Sequence, residues 1–237
     1  MYKILLPALL VLIIHKPLYS QQTASDFLTA GNQKQTDQKY AEAIAEYNKA
    51  IEIDPSNGMA FYYRANAKFE LNDFNGALSD YNSSLKIKSD FTHALYNRGN
   101  AYYELGEYKQ AIEDFSSVLK IDSLYFDSYF DRANAWFKLE KYKQALADFN
   151  QGLKLSPNFV NAYYDRANTY FYLEEYKPAI VDYDKAIELD GTNYNYYFNR
   201  AIAKINIDLV EEGCADLKKA KELGDAEAEE YINEICP

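Results

Sequence analysis

The chain has 237 residues, with only 9 glycines and 6 prolines, which argues against a loop-rich or all-β protein and for helix. Its formal charge of −11 opposes phosphate neutralisation, so a nucleic-acid partner is excluded; an acidic surface of this kind serves solubility. Tyrosine is abundant, at 24 residues. The first element in chain order is an N-terminal leader: Lys3, an apolar run from Ile4 to Ile14, and a short polar stretch ending at Tyr19-Ser20-Gln21-Gln22. The run is about half the ~20 residues that a membrane-spanning helix needs. It reads as a secretory signal peptide over residues 1–20, giving an exported protein with no stable membrane insertion after cleavage. An uncleaved interfacial anchor is the alternative.

Beyond residue 23 two blocks alternate. One reads FYYRANAKFELNDF (61–74), LYNRGNAYYELGEY (95–108), YFDRANAWFKLEKY (129–142) and YYDRANTYFYLEEY (163–176), with a weaker fifth copy from 197. The other reads EAIAEYNKAIEIDP (42–55), GALSDYNSSLKIKS (76–89), QAIEDFSSVLKIDS (110–123), QALADFNQGLKLSP (144–157) and PAIVDYDKAIELDG (178–191). The period is 34 residues with no insertion. Both blocks carry apolar residues at helical spacing, for example Tyr163, Ala167 and Tyr170, or Ala179, Tyr183, Ala186 and Ile187. Breakers such as Asp54-Pro55, Ser156-Pro157 and Asp190-Gly191 separate the units. A final amphipathic stretch, Tyr231, Ile232 and Ile235 on one face and glutamates on the other, predicts a terminal helix after Asp225.

A helix–turn–helix unit of this length, with Ala-x3-Phe/Tyr in the second helix, resembles the tetratricopeptide repeat family. The matching small residues are Gly31, Ala65, Gly99, Ala133, Ala167 and Ala201 on first helices, and Ala43, Ala77, Ala111, Ala145, Ala179 and Gly213 on second ones. The resemblance implies an all-α, right-handed solenoid of six repeats (24–57, 58–91, 92–125, 126–159, 160–193, 194–227) closed by a capping helix at 228–237. It also implies a non-enzymatic scaffold that binds a protein or peptide partner. The alternative is a structural or self-assembling subunit of a cell-envelope complex, docking through its edges or convex face.

One column departs from the family pattern, which often has Leu before the first-helix small residue. Arg64, Arg98, Arg132, Arg166 and Arg200 recur on first helices, and Asp80, Asp114, Asp148, Asp182 and Asp216 on second ones. Together they predict a ladder of ion pairs between helices, structural rather than ligand-binding.

First helices also carry a second stripe: Tyr62/Asn66/Phe69, Tyr96/Asn100/Tyr103, Phe130/Asn134/Phe137 and Tyr164/Asn168/Phe171. In the resembling family this face lines the concave groove, so these residues are the expected peptide-binding surface, with Asn32 ahead of them. An Asn amide offers both a donor and an acceptor to an extended backbone, and aromatic walls add apolar contact. The bland alternative is that they only pack against neighbouring helices. Chaperone-binding members of the family clamp a carboxylate with Lys and Arg where this chain has Tyr62, Tyr96, Asp131 and Asp165, so that use is not expected. Neither a metal site nor a cofactor nor a catalytic set is predicted; His93 stands alone. Cys214 and Cys236 fall on antiparallel helices about 15–18 Å from the turn between them, which favours a disulfide in an exported protein over two free thiols.

Overall fold

A computed structural model describes residues 22–236. The expected leader, residues 1–20, lies outside them, as does Pro237. Among the described residues the fold is all-helical: α1 (Ala24–Thr36), α2 (Tyr40–Ile53), α3 (Gly58–Glu70), α4 (Phe74–Ile87), α5 (Thr92–Glu104), α6 (Tyr108–Ile121), α7 (Phe126–Lys138), α8 (Tyr142–Leu155), α9 (Val160–Tyr172), α10 (Tyr176–Leu189), α11 (Tyr194–Ile205), α12 (Val210–Glu222) and α13 (Ala228–Ile235). Each helix packs on the next in sequence, and odd-numbered helices also touch the odd-numbered helix two along. The result is a one-dimensional stack rather than a single rounded core.

The close approach of paired helices follows from the small residues. Ala43, Ala65, Ala77, Ala111, Ala133, Ala145, Ala167, Ala179 and Ala201 are all fully buried at the helix crossings. A Cβ on Gly31 would stand 2.4 Å from the Tyr47 ring, and one on Gly99 2.7 Å from Phe115, so glycine is required where the second-helix ring lies flat on the first helix. Those rings, Tyr47, Tyr81, Phe115, Phe149 and Tyr183, are the largest buried side chains and fill the middle of each pair.

The arginine and aspartate columns face each other. Each guanidinium forks one carboxylate with Nε and Nη2 at 2.6–2.8 Å, from Arg64 with Asp80 through Arg98 with Asp114, Arg132 with Asp148 and Arg166 with Asp182 to Arg200 with Asp216. The third nitrogen, Nη1, donates backwards to the preceding second helix, onto Asn48, Asn82, Ser116, Asn150 or Asp184. One arginine therefore ties three helices and two successive pairs. The aspartates are nearly inaccessible, so losing one partner costs far more than the ~0–1 kcal/mol of an exposed pair.

The turns within pairs share a backbone signature. Gln38, Asn72, Gly106, Glu140, Glu174 and Asp208 all take positive φ, between 57° and 75°, where the chain leaves one helix and enters the next. At the C-terminal end, Cys214 and Cys236 form a disulfide that fixes the end of α13 to α12. The Asp225 carboxylate accepts from the Glu227 amide, one turn before α13 begins.

Candidate functional site

The first helices α1, α3, α5, α7, α9 and α11 form one face along which cavities follow one another. The first, 430 Å³, is lined by Asn32, Gln35, Thr36, Tyr40, Tyr63 and Glu70. Gln35 and Glu70 also line the second, 290 Å³, with Asn66, Phe69, Tyr81, Asn97 and Asn100. Phe69 and Asn100 continue into a third of 290 Å³, shared with Tyr96, Tyr103, Glu104, Asp131 and Asn134. A fourth, 430 Å³, is bounded mainly by rings: Phe137, Tyr164, Phe171, Tyr172, Tyr183, Phe198 and Tyr231, with Asn168, Asn199 and Ile202. Helical spacing brings the residues of the second stripe here because i, i+4 and i+7 lie on one side of a helix.

Two of the expected groove residues are placed differently. Phe130 does not reach this face: it is 3 % exposed, stacked on Phe159 with ring centroids 4.8 Å apart. The cause is Gly152 on α8, where a Cβ would stand 2.4 Å from the Phe130 ring; the glycine leaves a hole that the phenylalanine fills. Tyr62 is packed between helices, 4.7 Å from the Phe91 ring, and accepts a hydrogen bond from Asn97.

The asparagine column is not uniform. Asn32, Asn66 and Asn168 accept from the hydroxyls of the second-helix tyrosines Tyr47, Tyr81 and Tyr183 at 2.7–2.9 Å. Where the second helix instead carries Phe115 or Phe149, no such donor exists. The following first helix changes with it. After Tyr81 and Tyr183 come Asn97 and Asn199, whose amides donate to the same Asn66 and Asn168 oxygens. After Phe115 and Phe149 come acceptors: Asp131 takes the Tyr96 hydroxyl at 2.6 Å, and Asp165 the Asn134 amide at 3.4 Å. Burial pushes both carboxyl groups up to about 6, against the hydrogen bonds from Tyr96 and Asn134 that lower them. Burial likewise pushes the Tyr103 hydroxyl up to about 12, so it stays a neutral donor at physiological pH.

Asp131 and Asp165 were legible only as places without a Lys or Arg. The missed signal was the column Tyr63, Asn97, Asp131, Asp165 and Asn199, which switches from Asn to Asp in step with Tyr to Phe on the second helices.

The tetratricopeptide repeat matches residues 93–123, 126–159 and 160–193, and a second description of the repeat matches 37–71 and 65–106. The chain belongs to the tetratricopeptide repeat family. Members of that family are generally interaction scaffolds for protein or peptide partners, and the fold here is of that kind. The chain is similar to pilF of Pseudomonas aeruginosa, with a TM-score of 0.73 at 22 % identity over 89 % of this chain and 97 % of that one. It is also similar to YrrB, described as a TPR protein with an unusual peptide-binding site, at a TM-score of 0.70 and 22 % identity, covering 79 % of this chain and 97 % of that one. A tetratricopeptide repeat protein from Parabacteroides merdae has a TM-score of 0.63 at 26 % identity, covering 90 % and 82 %. No curated protein matches the chain.

Proposed function

We propose that the protein is a non-enzymatic scaffold that captures an extended peptide, or an extended segment of a partner protein, along the face of its first helices. The observation that carries this reading is the series of cavities along that face, lined by Asn100, Asn134 and Asn168 and by the rings of Phe69, Tyr103, Phe137 and Phe171. Each amide carries both donors and an acceptor, so the positions left over from its internal hydrogen bonds suit a peptide backbone, and pre-positioned rings contribute apolar contact with little entropy to lose. The peptide-binding description of YrrB supports it by analogy of fold. The same reading divides residues 24–227 into six repeats with a cap after them. It also places the protein outside the cytoplasm: the leader pattern at 1–20 and the Cys214–Cys236 disulfide both suit an oxidising compartment, and no helix among the described residues is long and apolar enough to cross a membrane.

The double variant Asn134→Ala with Phe137→Ala tests it, because these two side chains open onto neighbouring cavities. Cross-linked pull-down from the cell envelope should lose the partner at least tenfold; Phe137 also packs on its own helix pair, so circular dichroism checks that the variant, though less stable, is folded at the assay temperature. Full retention of the partner would instead favour docking through the edges or the opposite face.

A further inference from the structure

The cavities along the first-helix face differ in chemistry. The third is lined by Glu104 and Asp131 together with the Phe69 and Tyr103 rings, and Asp165 adjoins it through its hydrogen bond with Asn134. The fourth is walled by rings, and Tyr172 on its rim is 61 % exposed.

The two aspartates differ from the other repeated ones. Asp80, Asp114, Asp148, Asp182 and Asp216 are each forked by an arginine. Asp131 receives one side-chain hydrogen bond and Asp165 one long one, and among the described residues neither is in an ion pair. A carboxylate accepts about four. Lys138 is the cation whose field reaches Asp165, against Glu70 and Glu104 on the same face. A metal ion does not answer the deficit, since no three metal-ligating side chains converge among the described residues. An organic cation does: a guanidinium or ammonium group pairs with the carboxylates, and flanking rings hold it by cation–π contact.

Resting on the groove reading above, we infer that the bound segment carries a lysine or arginine over Asp131 and Asp165 and a bulky apolar side chain in the aromatic cavity. Asp131 lies on α7 and Asp165 on α9, and the fourth cavity spans α7 to α11, so the two anchors are one to two helix steps apart. At ~8–10 Å per step that is roughly 8–20 Å, or about three to six residues of extended chain. The partner is therefore an extended segment with a basic residue and an aromatic or large aliphatic residue at that separation.

A phage-displayed library of random dodecapeptides, panned on the purified protein and on Asp131→Asn with Asp165→Asn, tests this. Circular dichroism melting confirms that the variant is folded. On the unmodified protein, enriched peptides should pair Lys or Arg with Trp, Phe or Leu about three to six residues away. The variant should bind those same peptides at least tenfold more weakly, while Phe171→Ala should weaken all enriched peptides alike. Enrichment of neutral or acidic peptides that Phe171→Ala weakens would overturn the basic segment and leave the groove reading standing. Equal binding of basic peptides to protein and variant would overturn it too. No enrichment above the bare support, or binders indifferent to every groove substitution, would overturn both.

Discussion

At the scale of single residues, the molecule treats its repeated carboxylates in two ways. The five second-helix aspartates lie under arginine forks and hold the pairs together; Asp131 and Asp165 sit on the candidate binding face with little compensation. Burial raises both from 3.8 to about 6, which means that the folded state binds their protons more tightly than the unfolded chain does. Their contribution to stability is thus fully present below about pH 4 and is lost as pH rises through 6. Replacing both by asparagine keeps the acceptor for Tyr96 and removes the buried charge. The variant should be more stable than the parent at pH 7.5 by on the order of 1–3 kcal/mol per site, and the difference should vanish near pH 4. Urea denaturation at the two pH values measures it; a gain of equal size at both would show that charge is not the cause. A stability cost retained at the centre of one face is what a binding role for these two groups requires.

At the scale of the helix pair, the alternation of apolar residues, the small residues at crossings and the breakers between units fix the helices, and these are all local in sequence. The Arg and Asp columns were equally legible because facing helices repeat with the same period. The turns and the site were less so. In the turns, a left-handed residue is required at each of the six first-to-second-helix junctions of the stack, yet Gly106 is the lone glycine among Gln38, Asn72, Glu140, Glu174 and Asp208. A left-handed conformation at a residue with a Cβ costs ~1–2 kcal/mol, partly offset by the extra freedom glycine has in the unfolded chain. Glu140→Gly should therefore raise stability by roughly 0.5–1 kcal/mol, read as a shift in denaturation midpoint with unchanged slope; a loss would mean that the Glu140 side chain contributes more than its backbone costs. On the binding face, the position of Phe130 depends on Gly152, a residue on another helix, so the stripe containing Phe130 could not reveal that its ring turns inward. The Asn-to-Asp switch likewise depends on whether a facing second helix offers a hydroxyl, a relation between columns that no single helix displays.

At the scale of the whole molecule, a stack in which each helix leans on its sequence neighbours has ends that are held on one side only. The C-terminal end is where that weakness matters, because α13 supplies Tyr231 to the aromatic cavity and sets its ring edge-on to Phe198, with centroids 5.1 Å apart. Eight residues of helix are too short to persist unaided. The Cys214–Cys236 bond compensates by closing a segment of 22 residues of sequence separation onto α12, which in the chain-entropy account is worth about 3 kcal/mol. Because the stack is one-dimensional, that contribution should be local. Reduction, or Cys214→Ser with Cys236→Ser, should abolish hydrogen-exchange protection over residues 228–235 and weaken it in α11 and α12, while α5 to α8 keep theirs. Loss of Tyr231 from its wall should also lower affinity for ligands that use the aromatic cavity and spare contacts made at Asp131. Hydrogen exchange followed by mass spectrometry, with and without reductant, separates this from the alternative: a uniform loss of protection from α1 to α13 would mean that the array opens as one cooperative block and that its cap governs every pair in it.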